Sequence, residues 1–212
     1  MRTVTKTYGH ERGYSCCFRQ PRAKSHCRFL HGYALSFALT FACADDEVDE
    51  NGWVIDFGGL KPVKAWLDEN FDHKTILCGS DPAVSVLQLL NSDQFSYGPN
   101  YPTLSKLIDL IVLPGGVGCE NFAEYVFETV DNMLKQEMLG ETKAQLIKVE
   151  VREHGSNGAS YEREFVPSIR KREQLTFRLD STDIQKVMEH TVAQIREAVR
   201  DANSNRSRRR PG

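Results

Sequence analysis

The chain has 212 residues, 40% hydrophobic and 26% charged, with a formal net charge of −2 at pH 7, which fits one globular domain with a core of useful size. No apolar run approaches the ~20 residues that cross a bilayer, and the opening "MRTVTKTYGHERGYS" has no apolar signal core, so a cytoplasmic protein without a membrane partner is expected. The six cysteines (Cys16, Cys17, Cys27, Cys43, Cys78 and Cys119) show neither a CxxC pair nor a framework spacing, and free thiols are expected.

Taken in chain order, the first informative stretch is "AKSHCRFLHGYALSF". Cys27 lies among Lys24, His26 and Arg28, and positive neighbours lower a thiol pKa; the alternative is a small buried hydrophobe. His31 and Tyr33 are two apart on one face of the strand that follows, a spacing suited to metal ligands, although tyrosine is an uncommon one for zinc. Residues 33–41 then alternate, with Tyr33, Leu35, Phe37, Leu39 and Phe41 on one face and Ala34, Ser36, Ala38 and Thr40 on the other, which predicts a strand. "ADDEVDENG" reads as a turn and "WVIDF" as a short extended piece.

Leu60, Val63, Trp66, Leu67 and Phe71 have helical spacing, with Pro62 in the first turn. Asp72 and His73 follow at once. An Asp beside a His can fix its tautomer or form a proton relay; alternatively the His satisfies a helix-end carbonyl. The stretch 78–118 mixes short apolar runs with Pro and Gly, with room for a short helix and a short strand. A stronger helix carries Phe122, Tyr125, Val126, Thr129, Val130, Met133 and Leu134 on one stripe. "AQLIKVEVREHG" predicts a strand with Ile147, Val149 and Val151 on one face and Lys148, Glu150 and Arg152 on the other. "ASYEREF" is its hairpin partner through "GSNG".

Glu153 continues the apolar face of that strand. A core-facing acid needs a partner, and a carboxylate can accept two hydrogen bonds from a guanine- or pterin-like edge. The alternative is that the strand ends at Arg152 and Glu153 is solvated. A last helix is predicted over 182–202, capped by Ser181 or Thr182. The order of elements gives an α+β fold with an antiparallel sheet and helices on one face.

Five segments, "CRFLHGY", "GWVIDFGGLK", "FDHKTIL", "CENFAEYVFETV" and "VREHGSNGASY", lie in the order and spacing of one family. Spanning residues 14 to 161, they resemble the 6-pyruvoyl-tetrahydropterin synthase and 6-carboxytetrahydropterin synthase family. The resemblance implies the tunnelling fold: a four-stranded antiparallel sheet with two helices on one face, oligomerised into a barrel of several subunits, such as a hexamer. Its domain would cover 1–180 with an insertion at 74–117, followed by a C-terminal helix at 181–204 and a disordered basic tail at 205–212.

The resemblance also implies chemistry. Glu153 matches the glutamate that holds the pterin edge, assisted by backbone around Gly118 and Cys119. Cys27 matches the general base, and Asp72 with His73 the proton relay. The substrate would be 7,8-dihydroneopterin triphosphate, which loses triphosphate while its side chain is rearranged or shortened.

The family holds zinc with three histidines. Here His31 matches one, Tyr33 stands at the second and Phe18, in "YSCCFRQ", at the third. Cys16 and His26 are the substitutes within reach in sequence. Two main readings follow: a 6-carboxytetrahydropterin synthase-like lyase on the route to 7-deazaguanine compounds, or a non-catalytic relative that binds a pterin or guanine nucleotide. A nucleic-acid partner would rest only on the arginine-rich tail and is not expected.

Overall fold

The computed structural model describes residues 1–92 and 108–167. The predicted C-terminal helix and the basic tail lie outside the described residues. In chain order the elements are β1 (Arg2–Tyr8), β2 (Tyr14–Phe18), β3 (His31–Cys43), α1 (Lys61–Phe71), β4 (Lys74–Cys78), α2 (Ala83–Leu90), β5 (Leu110–Leu113), α3 (Cys119–Lys135), β6 (Gln145–His154) and β7 (Asn157–Glu162). Among the described residues no helix is long and apolar enough to cross a membrane.

Strand β3 is the spine. Its large side chains Leu35, Phe37, Leu39 and Phe41 are fully buried, as the alternation predicts. One edge of β3 pairs antiparallel with β6, and β6 pairs with β7. The other edge takes β1 and β2 in succession: Arg2 to Tyr8 face Cys43 to Phe37, then Tyr14 to Phe18 face Leu35 to His31. The two are one line of chain interrupted by residues 9–13, where the Gly13 N–H donates to the Gly9 carbonyl at 2.9 Å. Gly13 has φ +69°, and a Cβ there would lie 2.7 Å from Ala34, so the break requires glycine.

The expected four-stranded antiparallel sheet is therefore the centre of a larger mixed one. Among the described residues the sheet has seven strands, because β1 and β2 are separate and because β4 and β5 add parallel strands beside β2. "KTILC" and "LIVL" are short apolar runs, as strands of a parallel sheet usually are, so they lack the alternation that identified β3.

Helix α3 packs on β6 and β7, and α1 on β2 and β4. Val63, Leu67 and Phe71 of α1 and Phe122, Val126 and Val130 of α3 are buried in the same core as β3. On β6 the predicted face shifts. The β3 pairing slips between Thr40 and Phe41, so Leu146 rather than Ile147 joins Val149 and Val151 in the core. A bulge places two residues opposite one and interrupts simple alternation.

Phe37 lies in ring contact with Phe71 at 4.7 Å and Tyr14 at 5.5 Å. Truncating it to alanine should cost about 3–5 kcal/mol, the range for a buried phenylalanine. Urea titration should show a lower midpoint with the slope unchanged.

Candidate active site

After β2 the chain forms a loop tied at its base. The Gln20 N–H donates to the Cys27 carbonyl at 2.8 Å, and the Ala23 N–H to the Gln20 carbonyl at 2.9 Å. His26–Arg28 form a single 3-10 turn capped by Ser25, whose Oγ accepts from the Cys27 N–H at 3.4 Å. The Gln20 side chain donates to the Val117 carbonyl and so joins this loop to the start of α3.

The facing wall is the N-terminus of α3. Gly118 stands before its first turn with φ +102° and gives no side-chain cap. That backbone conformation favours glycine, and a Cβ there would also press on the end of the Gln20 side chain, 2.8 Å from Nε2. Such a helix end presents backbone N–H groups without helical partners. The third wall is the β6–β7 hairpin. Pairing passes from Arg152 opposite Gly158 to His154 opposite Asn157, leaving Glu153 at a bulge.

These walls enclose a cavity of about 400 Å³ in which Cys27, Tyr33, Gly118, Cys119 and Glu153 all take part, with Phe18 in its wall. The volume falls within the ~300–1,000 Å³ of small-ligand pockets. Four of the sequence-predicted residues, Cys27, Gly118, Cys119 and Glu153, are thus brought together. Asp72 and His73 are not among its lining residues.

Asp72 Oδ2 lies 3.1 Å from His73 Nδ1, and Asp72 Oδ1 accepts from the Ser15 N–H at 3.3 Å. His73 has φ +57°, an uncommon conformation that His tolerates better than most residues. Its N–H donates to the Ser15 carbonyl at 2.6 Å. The His73 side chain is 83% exposed, so the pair is built and oriented but faces solvent.

Burial pushes the Cys119 thiol up to about 12, and the field of Glu153 adds to it. Burial likewise raises Cys16 and Tyr33 to about 12. At neutral pH these three groups therefore hold their protons. Cys27 is the half-buried cysteine of the cavity wall.

The metal candidates do not form a zinc site. His31 Nδ1 lies 2.6 Å from the Phe29 carbonyl, which fixes the proton on that nitrogen, and Nε2 accepts from the Tyr33 hydroxyl. The Phe18 ring stacks on Tyr33 at 4.1 Å and 14°. Cys16 is buried in the core, and the His26 ring stands 6.2 Å from that of His31. Among the described residues no three His, Cys, Asp or Glu side chains come together as a metal site. Tetrahedral zinc needs three or four such donors, so this donor set does not fit it.

Gln20 and the hairpin residues Ser156, Asn157 and Gly158 also line the cavity, and none was marked by sequence. The signal for Gln20 was a polar residue two positions after a buried strand; the hairpin residues read only as a turn.

The family model for 6-pyruvoyl tetrahydropterin synthase matches residues 8–164. The 6-carboxy-5,6,7,8-tetrahydropterin synthases of Rickettsia felis and Rickettsia conorii are 37% and 36% identical over 86 residues, 40% of this chain and 61% of theirs. The match thus spans about three-fifths of the length of these curated relatives. The crystal structure of an uncharacterized protein from Wolinella succinogenes superposes with a TM-score of 0.62 at 18% identity, covering 77% of this chain and 98% of that one, a likeness of fold. With the family model covering residues 8–164 in one stretch, the chain belongs to the 6-pyruvoyl tetrahydropterin synthase family.

Proposed function

We propose that the chain is a 6-carboxytetrahydropterin synthase-like lyase acting on 7,8-dihydroneopterin triphosphate, on the route to 7-deazaguanine compounds, and working as a cytoplasmic homo-oligomer. The observation that supports it is the meeting of Cys27 and Glu153 at one cavity of pterin size beside the α3 N-terminus. Glu153 would accept two N–H bonds from the pterin edge, while backbone N–H groups of the first turn of α3 meet its acceptors. Cys27, as thiolate, would take a proton from the substrate side chain. The Tyr33 hydroxyl, neutral and with its hydrogen given to His31, would stand as a hydrogen-bond acceptor on the same wall. Asp72 and His73 lie outside the cavity, so their relay would have to be brought to Cys27 by a second copy of the chain.

The reading is tested by turnover. Cys27→Ala should lower kcat by about 10²–10⁴-fold, the usual contribution of a general base, without shifting the thermal midpoint. Glu153→Gln should mainly raise KM, by about 10–100-fold, because a hydrogen bond to a charged group contributes about 1.5–3 kcal/mol. Triphosphate release and pterin chromatography supply both values; full activity in Cys27→Ala would sink the lyase reading.

The donor set supports a proposal about metal. The purified protein should hold far less than one zinc per chain by plasma mass spectrometry, before and after incubation with zinc. Replacing Phe18 and Tyr33 together by histidine should create uptake. One zinc per chain in the native protein, lost in His31→Ala, would contradict this. The Phe18–Tyr33 stack also favours a second reading, a pterin- or guanine-nucleotide-binding protein without turnover. Tight binding of 7,8-dihydroneopterin triphosphate with no triphosphate released would select it.

A further inference from the structure

Arg19 follows Phe18 directly and reaches two parts of the molecule that sequence does not connect. Its Nε and Nη2 donate to Asp81 Oδ2 and Oδ1 at 2.7 and 2.5 Å. Its Nη1 donates to the Arg28 carbonyl at 3.3 Å. Asp81 lies between β4 and α2 and its side chain has no exposed surface, while Arg19 is a quarter exposed. Asp81 Oδ1 also accepts from the Ala83 N–H at 2.8 Å, and the Asp81 N–H donates to the Cys78 carbonyl at the same distance. The carboxylate is thus fixed in place before it holds the guanidinium.

We infer that Arg19, held by Asp81, is a positioning residue for Cys27, and that the β4–α2 segment acts on the cavity through it. Arg28 is the residue after Cys27, so fixing its carbonyl fixes one end of the turn. The Gln20 N–H holds the carbonyl just before it, that of Cys27 itself. The two ties hold consecutive carbonyls on the C-terminal side of the carbon that bears the thiol, and of the two only the arginine tie depends on a residue 62 positions away. A guanidinium can make both contacts because its donors form a rigid fork. The hydrogen bond from Arg19 holds the Asp81 carboxyl below the usual carboxylate range, so the pair is charged at neutral pH.

The inference rests on Cys27 as the base, and its test has a readout separate from turnover. Alkylation by iodoacetamide at neutral pH is followed for each cysteine by peptide mass spectrometry in the full-length native protein, Arg19→Lys and Asp81→Asn. Arg19→Lys keeps a charge for Asp81 but a single ammonium lacks the fork that reaches the Arg28 carbonyl. The expected result is a Cys27 rate changed at least about threefold, with the buried Cys16 and Cys119 still protected. A displaced catalytic group can cost about 10²-fold, so kcat should fall by up to that factor with KM nearly constant. Should Asp81→Asn fail to fold, Arg19→Lys decides alone. An unchanged Cys27 rate in Arg19→Lys overturns the inference. So does a parallel rise at Cys16, Cys27 and Cys119, which marks general loosening. A native protein with no turnover defeats the lyase reading, and the alkylation rates still decide the role of Arg19.

Discussion

The structure depends on a run of aromatic contacts between the sheet and its two long helices. Phe37 of β3 meets Phe71 of α1, Phe71 meets Phe122 of α3 edge-on at 5.5 Å, and Phe122 meets Phe18 of β2 edge-on at 5.0 Å. Phe18 then stacks on Tyr33. Each such pair adds about 0.5–1.5 kcal/mol beyond the area it buries. The run also sets geometry, because each ring fixes the angle of the next. It begins in the centre of the core and ends in the wall of the cavity. The position where a metal ligand is expected is occupied by the last phenylalanine of the core, and the hydroxyl that remains there is turned to His31.

The cavity is consequently a property of three distant segments, not of one motif. The loop after β2, the start of α3 and the β6–β7 turn lie far apart in sequence, and the core brings them together. Glycine takes the positive φ at Gly118, and polar ties lock the segments, as between Gln20 and Val117. The groups so enclosed differ in character. Cys119 and Tyr33 keep their protons because burial disfavours their anions. Cys27 lies on a short exposed turn and depends on neighbouring ties for its place.

The sequence was most informative where side-chain period meets one buried face. The alternation of residues 33–41 gave β3 directly, and the helical stripe around Phe122 and Val130 gave α3. Glu153 stood out because an acid continued an apolar register. The bulges of β6 were hidden, since Ile147 and Leu146 are equally apolar and the pairing with β3 chooses between them. β4 and β5 were hidden for the reason that parallel strands lack a polar face. The separation of His73 from Cys27 could not be read from motifs, which give order along the chain but not direction in space. The Arg19–Asp81 pair left no trace in either local pattern. The segments 93–107 and 168–212 lie outside the described residues, and the helix expected at 181–204 falls among them.

The break between β1 and β2 has a consequence for how the chain tolerates change. Each half keeps its own register on β3, and the residues between them shift the pairing by four positions without altering either half. A residue gained or lost there would be absorbed in the exposed loop instead of sliding Phe18 along β3. The line of chain along this side of β3 is thus divided into β2, anchored between β3 and β4 and ending in the cavity wall, and β1, a half free to drift in length. Homologues could differ in size at this point while the rings behind the cavity keep their places.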